Sequence, residues 1–308
     1  MVMSLDDDRR ELAEAEQRLF AALGIEHCSE RIPLTEAPVD HARVIETGEG
    51  PPLVFVHGAG MSAALWAPLL VQLPGYRCLA VDLPGCGLTD PLDHRGVELR
   101  SHASAFLLAV LDGLGLGRVP VVANSLGATY ALYLAATEPT RISGLALLGA
   151  PGVALPGSRG SLAMSLYSRP RLGRTMSAMS PPLTPRIARR LLAGIVGRPA
   201  VEALAEEMLE VVATTLRISE PTTRTLMPEL LSGRTPYPHH ALSDDELARV
   251  AARTRFVWGD QDRFQGPEDG RRAAALMPDA DLVEIHGGHH PWWDDAERCA
   301  ALIEEIVS

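Results

Sequence analysis

The sequence predicts an α/β fold, with a mostly parallel β-sheet covered by helices on both faces. Short apolar runs of strand length alternate with segments of helical periodicity over residues 41–148, and this alternation returns over residues 254–307. Such an alternation pairs parallel strands through crossover helices. Between the two stretches, residues 153–240 carry only helical patterns. We therefore expect a doubly wound sheet with a helical cap inserted over the carboxyl ends of its strands.

The individual elements can be assigned in chain order. Residues 5–23 repeat apolar positions at helical spacing among charges, which predicts an amphipathic helix. The other predicted helices cover residues 63–73, 98–114, 128–136, 267–276 and 293–307. The predicted strands cover residues 41–46, 52–56, 76–81, 118–123, 142–148, 254–258 and 281–285. The expected division is an N-terminal helical extension (1–30), a core formed by 31–152 and 241–308, and the cap (153–240).

Composition and charge exclude several classes of function. The 308 residues carry a formal net charge of −11, which argues against binding nucleic acid or an anionic membrane. No apolar run is long enough to cross a bilayer, and residues 1–10 are too acidic and polar for a secretory signal. The four cysteines are widely scattered, which favours a reduced, cytoplasmic protein. The many Ala, Gly, Pro and Arg residues indicate a GC-rich, bacterial genome.

The sequence contains no pattern typical of a cofactor site. No set of histidine, cysteine and carboxylate residues has metal-ligand spacing, and there is no glycine-rich phosphate loop. All 28 basic residues are arginine, so a Schiff base on a lysine is excluded. We therefore expect neither a metal nor an organic cofactor.

A serine turn between a strand and a helix is the most informative single feature. The apolar strand over 118–123 runs into the sequence Asn-Ser-Leu-Gly around Ser125, and an apolar helix follows. A sharp turn of this kind holds a serine up as a nucleophile, and it needs small residues two positions before and after the serine. Those residues are Ala123 and Gly127, where the usual pattern has glycine at both. Taken alone, the pattern also fits Ser125 as a helix N-cap.

The loops after two later strands hold the acid and the base that a nucleophilic serine needs. Asp260 and Asp262 follow one predicted strand, and the next predicted strand is followed by three histidines, His286, His289 and His290. The chain order is therefore Ser, Asp, His, which is typical of an α/β-hydrolase fold.

Five segments in order resemble the α/β-hydrolase superfamily, from about residue 40 to the end of the chain. They correspond to its oxyanion loop, its Asp-x-Pro-Gly-x-Gly-x-Ser-Asp segment, its nucleophile elbow, its acid loop and its histidine loop. In this chain they read His57-Gly-Ala-Gly, Asp82-Leu-Pro-Gly-Cys-Gly-Leu-Thr-Asp, Asn-Ser125-Leu-Gly, Gly-Asp-Gln-Asp262 and Gly-His289. Each segment alone is a weak signal, but all five in the family's order are specific.

The resemblance implies a catalytic triad and an oxyanion hole. Ser125 is the expected nucleophile, His289 the base and Asp262 the acid that orients the imidazole. The family spacing Gly-x-x-Asp favours Asp262 over the aspartate two residues before it. The family histidine directly follows a glycine, as His289 does. The backbone N–H groups of Leu126 and Ala59 are expected to stabilise the developing oxyanion.

Further residues in these loops and in the cap are candidates for the substrate pocket: His57, Asn124, Arg190, His290 and Trp292. His57 is expected to shape the oxyanion loop rather than to carry protons. His290 is expected to face the pocket or to pack against it. A second nucleophile-like sequence surrounds Ser62, but it follows the expected oxyanion loop, so we interpret Ser62 as a helix N-cap.

The cap contains 11 arginines against six glutamates and no aspartate. One interpretation is a solvated basic face with arginine stems lying over apolar surface. The other is that one arginine, such as Arg189 or Arg190, binds a substrate carboxylate. The cap methionines are either candidates for a pliable apolar wall of the pocket or ordinary core residues: Met164, Met176, Met179, Met208 and Met227.

Three functions are compatible with these residues. The first is hydrolysis of a carboxylic ester or thioester of a small to medium, partly apolar substrate through an acyl-enzyme. The second is hydrolysis of a carbon–carbon bond in a vinylogous keto acid. Asn124, the Leu148-Gly149 pair and the Asp262-Arg-Phe sequence resemble the meta-cleavage hydrolases. Against this, the oxyanion loop lacks that group's Gly-Pro-Gly sequence, and His290 stands where that group has tryptophan. The third is a small-molecule receptor on the same fold, which a complete triad disfavours.

The expected partner is a small-molecule substrate, and the sequence leaves a homodimer open. The helix over residues 5–23 precedes the usual start of the family. It is expected to lie against the cap, to mediate a dimer, or to shield the edge of the sheet.

Overall fold

Eight of ten strands form one sheet in a computed structural model that describes residues 5–179, 183–194 and 196–307. The strands are β1 (His27–Pro33), β2 (His41–Thr47), β3 (Pro52–Val56), β4 (Arg77–Val81), β5 (Val119–Ala123), β6 (Ile142–Leu148), β7 (Leu231–Ser232), β8 (Thr235–Pro236), β9 (Arg253–Gly259) and β10 (Ala280–Ile285). The order in the large sheet is β1-β2-β4-β3-β5-β6-β9-β10. β2 is antiparallel to both β1 and β4, and the other neighbours are parallel.

Helices connect these strands and cover the sheet. They are α1 (Leu5–Leu23), α2 (Ala67–Leu70), α3 (Leu99–Gly113), α4 (Leu126–Thr137), α5 (Leu162–Tyr167), α6 (Pro170–Met179), α7 (Pro185–Ala193), α8 (Arg198–Ala203), α9 (Glu206–Leu230), α10 (Asp244–Leu247), α11 (Pro267–Leu276), α12 (Pro291–Asp294) and α13 (Ala296–Val307). Two 3-10 turns cover Ala63–Trp66 and Pro238–His240.

Two apolar layers lie on the two faces of the sheet. One layer packs α3 and α4 against the strands, with Phe106 and Tyr130 buried in it. The other layer joins α1, α13 and part of the cap to the opposite face, with Phe20 and Ile303 at its centre. Because helices cover both faces, both sides of the central strands are apolar. The α/β prediction with a mostly parallel, doubly wound sheet is therefore confirmed.

The structure differs from the sequence prediction at the edge of the sheet. β1 crosses the predicted boundary between extension and core at residue 30, and no strand was predicted there. Only Ile32 of this edge strand is buried, so its sequence has no alternation of apolar and polar residues from which a strand could be predicted.

Two further differences arise from short elements. The cap segment contains the β7–β8 hairpin beside its helices, and two-residue strands are too short to show a period. The helix predicted over 63–73 is a 3-10 turn followed by α2, and the helix predicted over 293–307 is divided into α12 and α13.

The N-terminal helix α1 lies against the long cap helix α9. The Arg217 guanidinium of α9 is 2.9 Å from the Asp8 carboxylate and 2.6 Å from that of Glu11. Arg18 of α1 and Glu210 of α9 form a second ion pair at 2.9 Å. Of the three expectations for this helix, contact with the cap is the one that the structure shows. Within the described ranges, every helix is too short or too polar to span a bilayer.

Candidate active site

Ser125 lies in a strained turn between β5 and α4. Its φ of +53° and ψ of −119° place a non-glycine residue in a sparsely populated backbone region. A side chain at Gly127 would approach the Val56 carbonyl oxygen to 2.2 Å, which only glycine avoids. Ala123 is buried, and its one extra methyl group is accommodated in the core. Such strain is typical of a nucleophile elbow and is not needed for a helix cap.

Asp262 and His289 form a buried pair at the ends of β9 and β10. The His289 Nδ1 atom is 2.8 Å from Asp262 Oδ2. The same carboxylate accepts hydrogen bonds from the backbone N–H groups of Ala150 and Phe264, both at 2.9 Å. Burial tends to raise the pKa of Asp262, but the His289 imidazole and these donors hold it below its usual value. The carboxylate is therefore ionised and fixed against one nitrogen of the imidazole.

Asp260 and His286 form a second, surface pair beside the first. Their nearest atoms are 3.2 Å apart, and the side chains are 46% and 76% exposed. Asp260 also accepts a hydrogen bond from the backbone N–H of Gly287 at 3.1 Å. This contact stabilises the turn that leads to His289, but it lies outside the pocket. The geometry therefore favours Asp262 as the acid, as the motif spacing predicts.

One cavity brings together the candidate nucleophile, base and oxyanion groups. Ser125, His289, Ala59 and Leu126 all line it. Leu126 is the first residue of α4, where backbone N–H groups have no acceptor within the helix. The opposite wall is apolar and comes mainly from the cap: Val153, Met164, Met227, Leu230, Leu231 and Phe264.

His57 is buried outside the lining of the cavity and connects the loop at Gly58 to the segment after β4. Its Nε2 atom accepts a hydrogen bond from the Leu83 backbone N–H at 3.0 Å, and its Nδ1 atom is 2.7 Å from the Gly58 carbonyl oxygen. Burial lowers the pKa of His57, so the imidazole is neutral at pH 7. A side chain at Gly58 would lie 3.0 Å from the Ser125 Cβ atom, which shows how closely this loop approaches the serine.

Asn124 is a loop anchor rather than a residue of the pocket wall. Its side-chain N–H group donates to the Leu148 carbonyl at 2.6 Å and to the His289 carbonyl at 3.0 Å. It thereby joins the end of β5 to β6 and to the histidine loop. The pocket prediction for Asn124 is wrong in its detail because the side chain is fully buried between these loops.

His290 and Trp292 belong to an aromatic cluster behind the site. The His290 ring lies 4.9 Å from the Trp292 ring and 4.5 Å from the Trp293 ring. Trp292 stacks on Trp66 at 4.2 Å and donates its indole N–H to the Leu65 carbonyl at 3.0 Å. His290 thus packs against the site, which is one of its two expected placements, and the pocket prediction for Trp292 is wrong.

Arg190 lies outside the cavity that contains Ser125, whereas Arg159 lines it. Arg190 is exposed on α7, and Arg189 is paired with Glu206 at 3.5 Å. Arg159 lines the cavity next to Ser158. The Ser158 hydroxyl is buried, and in the described part of the chain it has no hydrogen-bond partner. Sequence reasoning missed both residues because nothing in the pattern separates one cap arginine from the other ten.

The remaining sequence candidates have mixed outcomes. Ser62 precedes a 3-10 turn, but its buried hydroxyl lies 3.1 Å from the Thr215 hydroxyl instead of capping the turn. Met164 and Met227 line the cavity, whereas Met208 is buried in the apolar layer of α9. The side chain of Met179 is outside the described part of the structure.

Comparison with known proteins agrees with this geometry. Over 277 residues, the chain is 29% identical to 2-hydroxy-6-oxononadienedioate/2-hydroxy-6-oxononatrienedioate hydrolase 2 of Pseudomonas putida, covering 85% of this chain and 90% of that protein. The 2-hydroxy-6-oxononadienedioate/2-hydroxy-6-oxononatrienedioate hydrolase of Burkholderia vietnamiensis is 28% identical to this chain, and the match covers 85% of this chain and 89% of that protein.

Solved structures show the same fold at lower identity. The 2-hydroxy-6-oxo-6-phenylhexa-2,4-dienoate hydrolase of a Rhodococcus species superposes with a TM-score of 0.71 at 21% identity, over 92% of this chain and 99% of that chain. The naproxen esterase of Bacillus subtilis has the same TM-score at 18% identity, over 100% of both chains. The sequence model of the α/β hydrolase fold matches residues 51–296. With this match added to the strained serine turn and the buried Asp-His pair, the chain belongs to the α/β hydrolase family of enzymes.

Proposed function

We propose that the protein is a serine hydrolase that cleaves a carbon–carbon bond beside a ketone in a vinylogous keto acid. Ser125 in its strained turn lines one cavity with His289, whose Nδ1 atom is held by the buried Asp262, and this arrangement supports serine hydrolysis. The relatives that match 85% of the chain are named for hydroxy-oxo-dienedioate hydrolysis. This resemblance favours the second of the three functions over ester hydrolysis, which the motifs alone had put first.

The residues provide each step of such a reaction. The Ser125 Oγ atom adds to the ketone carbon while its proton passes to His289. The oxyanion accepts hydrogen bonds from the N–H groups of Leu126 and Ala59. The reaction starts from the diketo tautomer of the substrate, in which the proton of the 2-hydroxyl group has moved to the carbon beside the ketone. When the intermediate collapses, this carbon leaves with its bonding electron pair, which delocalises into the conjugated keto acid, and takes the proton from His289. Water, deprotonated by His289, then cleaves the acyl-enzyme to give a carboxylic acid.

Arg159 and Ser158 support an anionic substrate. Ser158, whose buried hydroxyl has no hydrogen-bond partner in the described part of the chain, and the exposed Arg159 both line the cavity that contains Ser125. A carboxylate satisfies both groups, because it accepts several hydrogen bonds at once. The apolar wall around Met164 and Phe264 then holds the carbon chain.

We also infer that the enzyme works in the cytoplasm, since its four cysteines are unpaired.

Ester hydrolysis is the second candidate. The same triad and oxyanion donors serve an ester, and the oxyanion loop reads His-Gly-Ala-Gly-Met-Ser without a Gly-Pro-Gly sequence. His290 is packed among tryptophans where the carbon–carbon hydrolases have tryptophan itself. These two departures are the observations that favour it.

The deciding experiment compares kcat/KM for a 2-hydroxy-6-oxo-dienoate with kcat/KM for p-nitrophenyl esters of several chain lengths. Cleavage of the dienoate shortens its conjugated system, so the reaction can be followed by loss of absorbance, with both fragments identified by mass spectrometry. A preference of at least a hundredfold for the dienoate, lost in Ser125→Ala, is expected. A hundredfold preference for the esters would instead favour ester hydrolysis over carbon–carbon bond cleavage.

Arg159→Leu tests the anionic site, with Arg190→Leu as the matched control at an exposed cap arginine that does not line the cavity. A hydrogen bond to a charged group contributes about 1.5–3 kcal/mol, so Arg159→Leu is expected to raise KM for the keto acid by tenfold or more. It should hardly change KM for the neutral p-nitrophenyl acetate, and Arg190→Leu should change neither. Equal effects of the two substitutions would remove Arg159 from the substrate site.

A further inference from the structure

A buried cluster of three charges joins the N-terminal helix to the catalytic core. Glu16 of α1, Arg43 of β2 and Asp82 at the end of β4 are 1%, 3% and 0% exposed. The Arg43 guanidinium is 2.5 Å from the Glu16 carboxylate and 3.3 Å from that of Asp82. Glu16 lies in the segment that precedes the part of the chain matched by the family.

Asp82, the residue of this cluster farthest from α1, binds the end of the oxyanion loop. Asp82 Oδ1 accepts a hydrogen bond from the backbone N–H of Ala63 at 2.6 Å. Ala63 directly follows the loop that begins at Gly58 and contains Ala59, the second expected oxyanion donor. The other Asp82 oxygen accepts from the Leu88 backbone N–H at 2.9 Å. The Asp82 carboxylate therefore fixes the end of the oxyanion loop at Ala63 and the segment after β4 at Leu88, and oxyanion donors must be placed to within fractions of an ångström.

Stability alone does not account for these buried charges. Taking three charged groups out of water costs several kcal/mol per ion, and an apolar cluster of the same volume is commonly as stable or more so. Burial, followed by the charge of Asp82, raises the pKa of Glu16 to about 7 in spite of the attraction of Arg43. The arrangement does impose direction, because Glu16 accepts hydrogen bonds from both Nη atoms of the planar Arg43 guanidinium, and Nη1 also donates to Asp82.

We propose that Glu16 is a positioning residue for the oxyanion hole, acting through Arg43 and Asp82 on the loop that carries the Ala59 N–H. The N-terminal helix is thus part of the catalytic scaffold as well as a support for the cap. This inference rests on the serine-hydrolase part of the proposed function and is independent of the bond that is cleaved.

The helix itself offers a matched control for the test. Glu11 also lies on α1 and also pairs with an arginine, but its partner is Arg217 of the cap helix α9. Glu11→Gln therefore removes one negative charge and loosens α1 without touching the cluster below the oxyanion loop. Glu16→Gln removes the charge and keeps the shape, whereas Glu16→Ala removes both.

The experiment measures kcat, KM and the rate of labelling by a fluorophosphonate for the full-length wild type and these three variants, at a temperature where all are folded by circular dichroism. Oxyanion donors act in the transition state, so kcat should fall while KM changes less than twofold. We expect a loss of at least tenfold in kcat for Glu16→Ala and a smaller loss for Glu16→Gln. Labelling should slow by a similar factor, and Glu11→Gln should stay within twofold of the wild type.

Two results would overturn the inference, and they differ from failure of the proposed function. If the Glu16 variants keep the kcat of the wild type while only their melting temperature falls, Glu16 is purely structural. If Glu11→Gln lowers kcat as much as Glu16→Gln does, the effect is a general loosening of α1. Absence of labelling and of turnover in the wild type itself would instead contradict the serine-hydrolase function on which the inference depends.

Discussion

Replacing Asp262 by asparagine, with Asp260→Asn as the paired control, tests the assignment of the catalytic acid most directly. Both residues lie in the loop after β9, both contact a histidine of the next loop, and both changes remove one charge with almost no change in volume. They differ in environment, because the Asp262 side chain is fully buried whereas that of Asp260 is 46% exposed.

The expected loss follows from the charge that His289 acquires during the reaction. With the imidazolium and the carboxylate roughly 4 Å apart between charge centres, an effective dielectric constant of about 20 gives an attraction of about 4 kcal/mol. At about 1.4 kcal/mol per factor of ten, this corresponds to roughly a thousandfold in kcat. If the amide N–H₂ group turns towards His289 it also stabilises the wrong tautomer, for which losses of about 10⁴ are known in serine enzymes.

The same reasoning predicts a small effect at Asp260. An exposed ion pair contributes about 1 kcal/mol at most, and an asparagine oxygen can still accept the hydrogen bond of the Gly287 N–H. We therefore expect Asp260→Asn to lower kcat less than fivefold and Asp262→Asn to lower it by 10³ or more. The assay is the steady-state rate with whichever substrate the wild type turns over, on variants shown to be folded. A larger loss in Asp260→Asn, or losses below tenfold in both, would refute the assignment of Asp262.

Three further outcomes are expected. Gly127→Ala should prevent stable folding, because its new methyl group would meet the Val56 carbonyl oxygen at 2.2 Å; a variant with an unchanged melting temperature would contradict this. Asn124→Ala should lower kcat by tenfold or more with KM nearly unchanged, since the histidine loop loses its 3.0 Å hydrogen bond from Asn124 to the His289 carbonyl. An effect on KM alone would indicate instead that Asn124 contacts the substrate. The pKa of Glu16 is raised from 4.5 to about 7, so its stabilising contribution is fully present below pH 4.5 and is lost as the pH rises through 7. In urea unfolding, the stability of the wild type relative to Glu16→Gln should therefore fall from pH 5 to pH 8, and a constant difference would contradict the raised pKa.

Features that depend on a short stretch of sequence could be predicted, whereas contacts between distant residues could not. The strands over 52–56 and 142–148 and the helix over 267–276 match the structure to the residue, because their burial is reflected in apolar runs and flanking turns. The chain order of the serine, aspartate and histidine loops was also readable, since a parallel sheet collects the carboxyl ends of its strands at one edge.

Side-chain direction was not readable in the same way. Asn124 and Trp292 were expected to line the pocket because their loops reach it, but both side chains are buried in the core. The choice among the cap arginines depends on the path of the chain just after β6, which brings Arg159 to the mouth of the cavity, while Arg190 on α7 does not line it; both residues are exposed. The cluster of Glu16, Arg43 and Asp82 joins residues that are far apart in sequence, and no local pattern indicates that they meet.

The environments of three histidines, His57, His289 and His290, favour only one of them as the predicted base. Both nitrogens of His57 are engaged, one by the Leu83 N–H and one by the Gly58 carbonyl, so it has no lone pair to offer. Burial, followed by the charge of the neighbouring His289, lowers the pKa of His290 far below its usual value and keeps that ring neutral among the tryptophans. His289 has an ionised carboxylate on Nδ1 and lines the cavity that contains the serine. We therefore predict that His289 is the base, because it is the ring that has both a carboxylate on Nδ1 and a place in the cavity beside the serine.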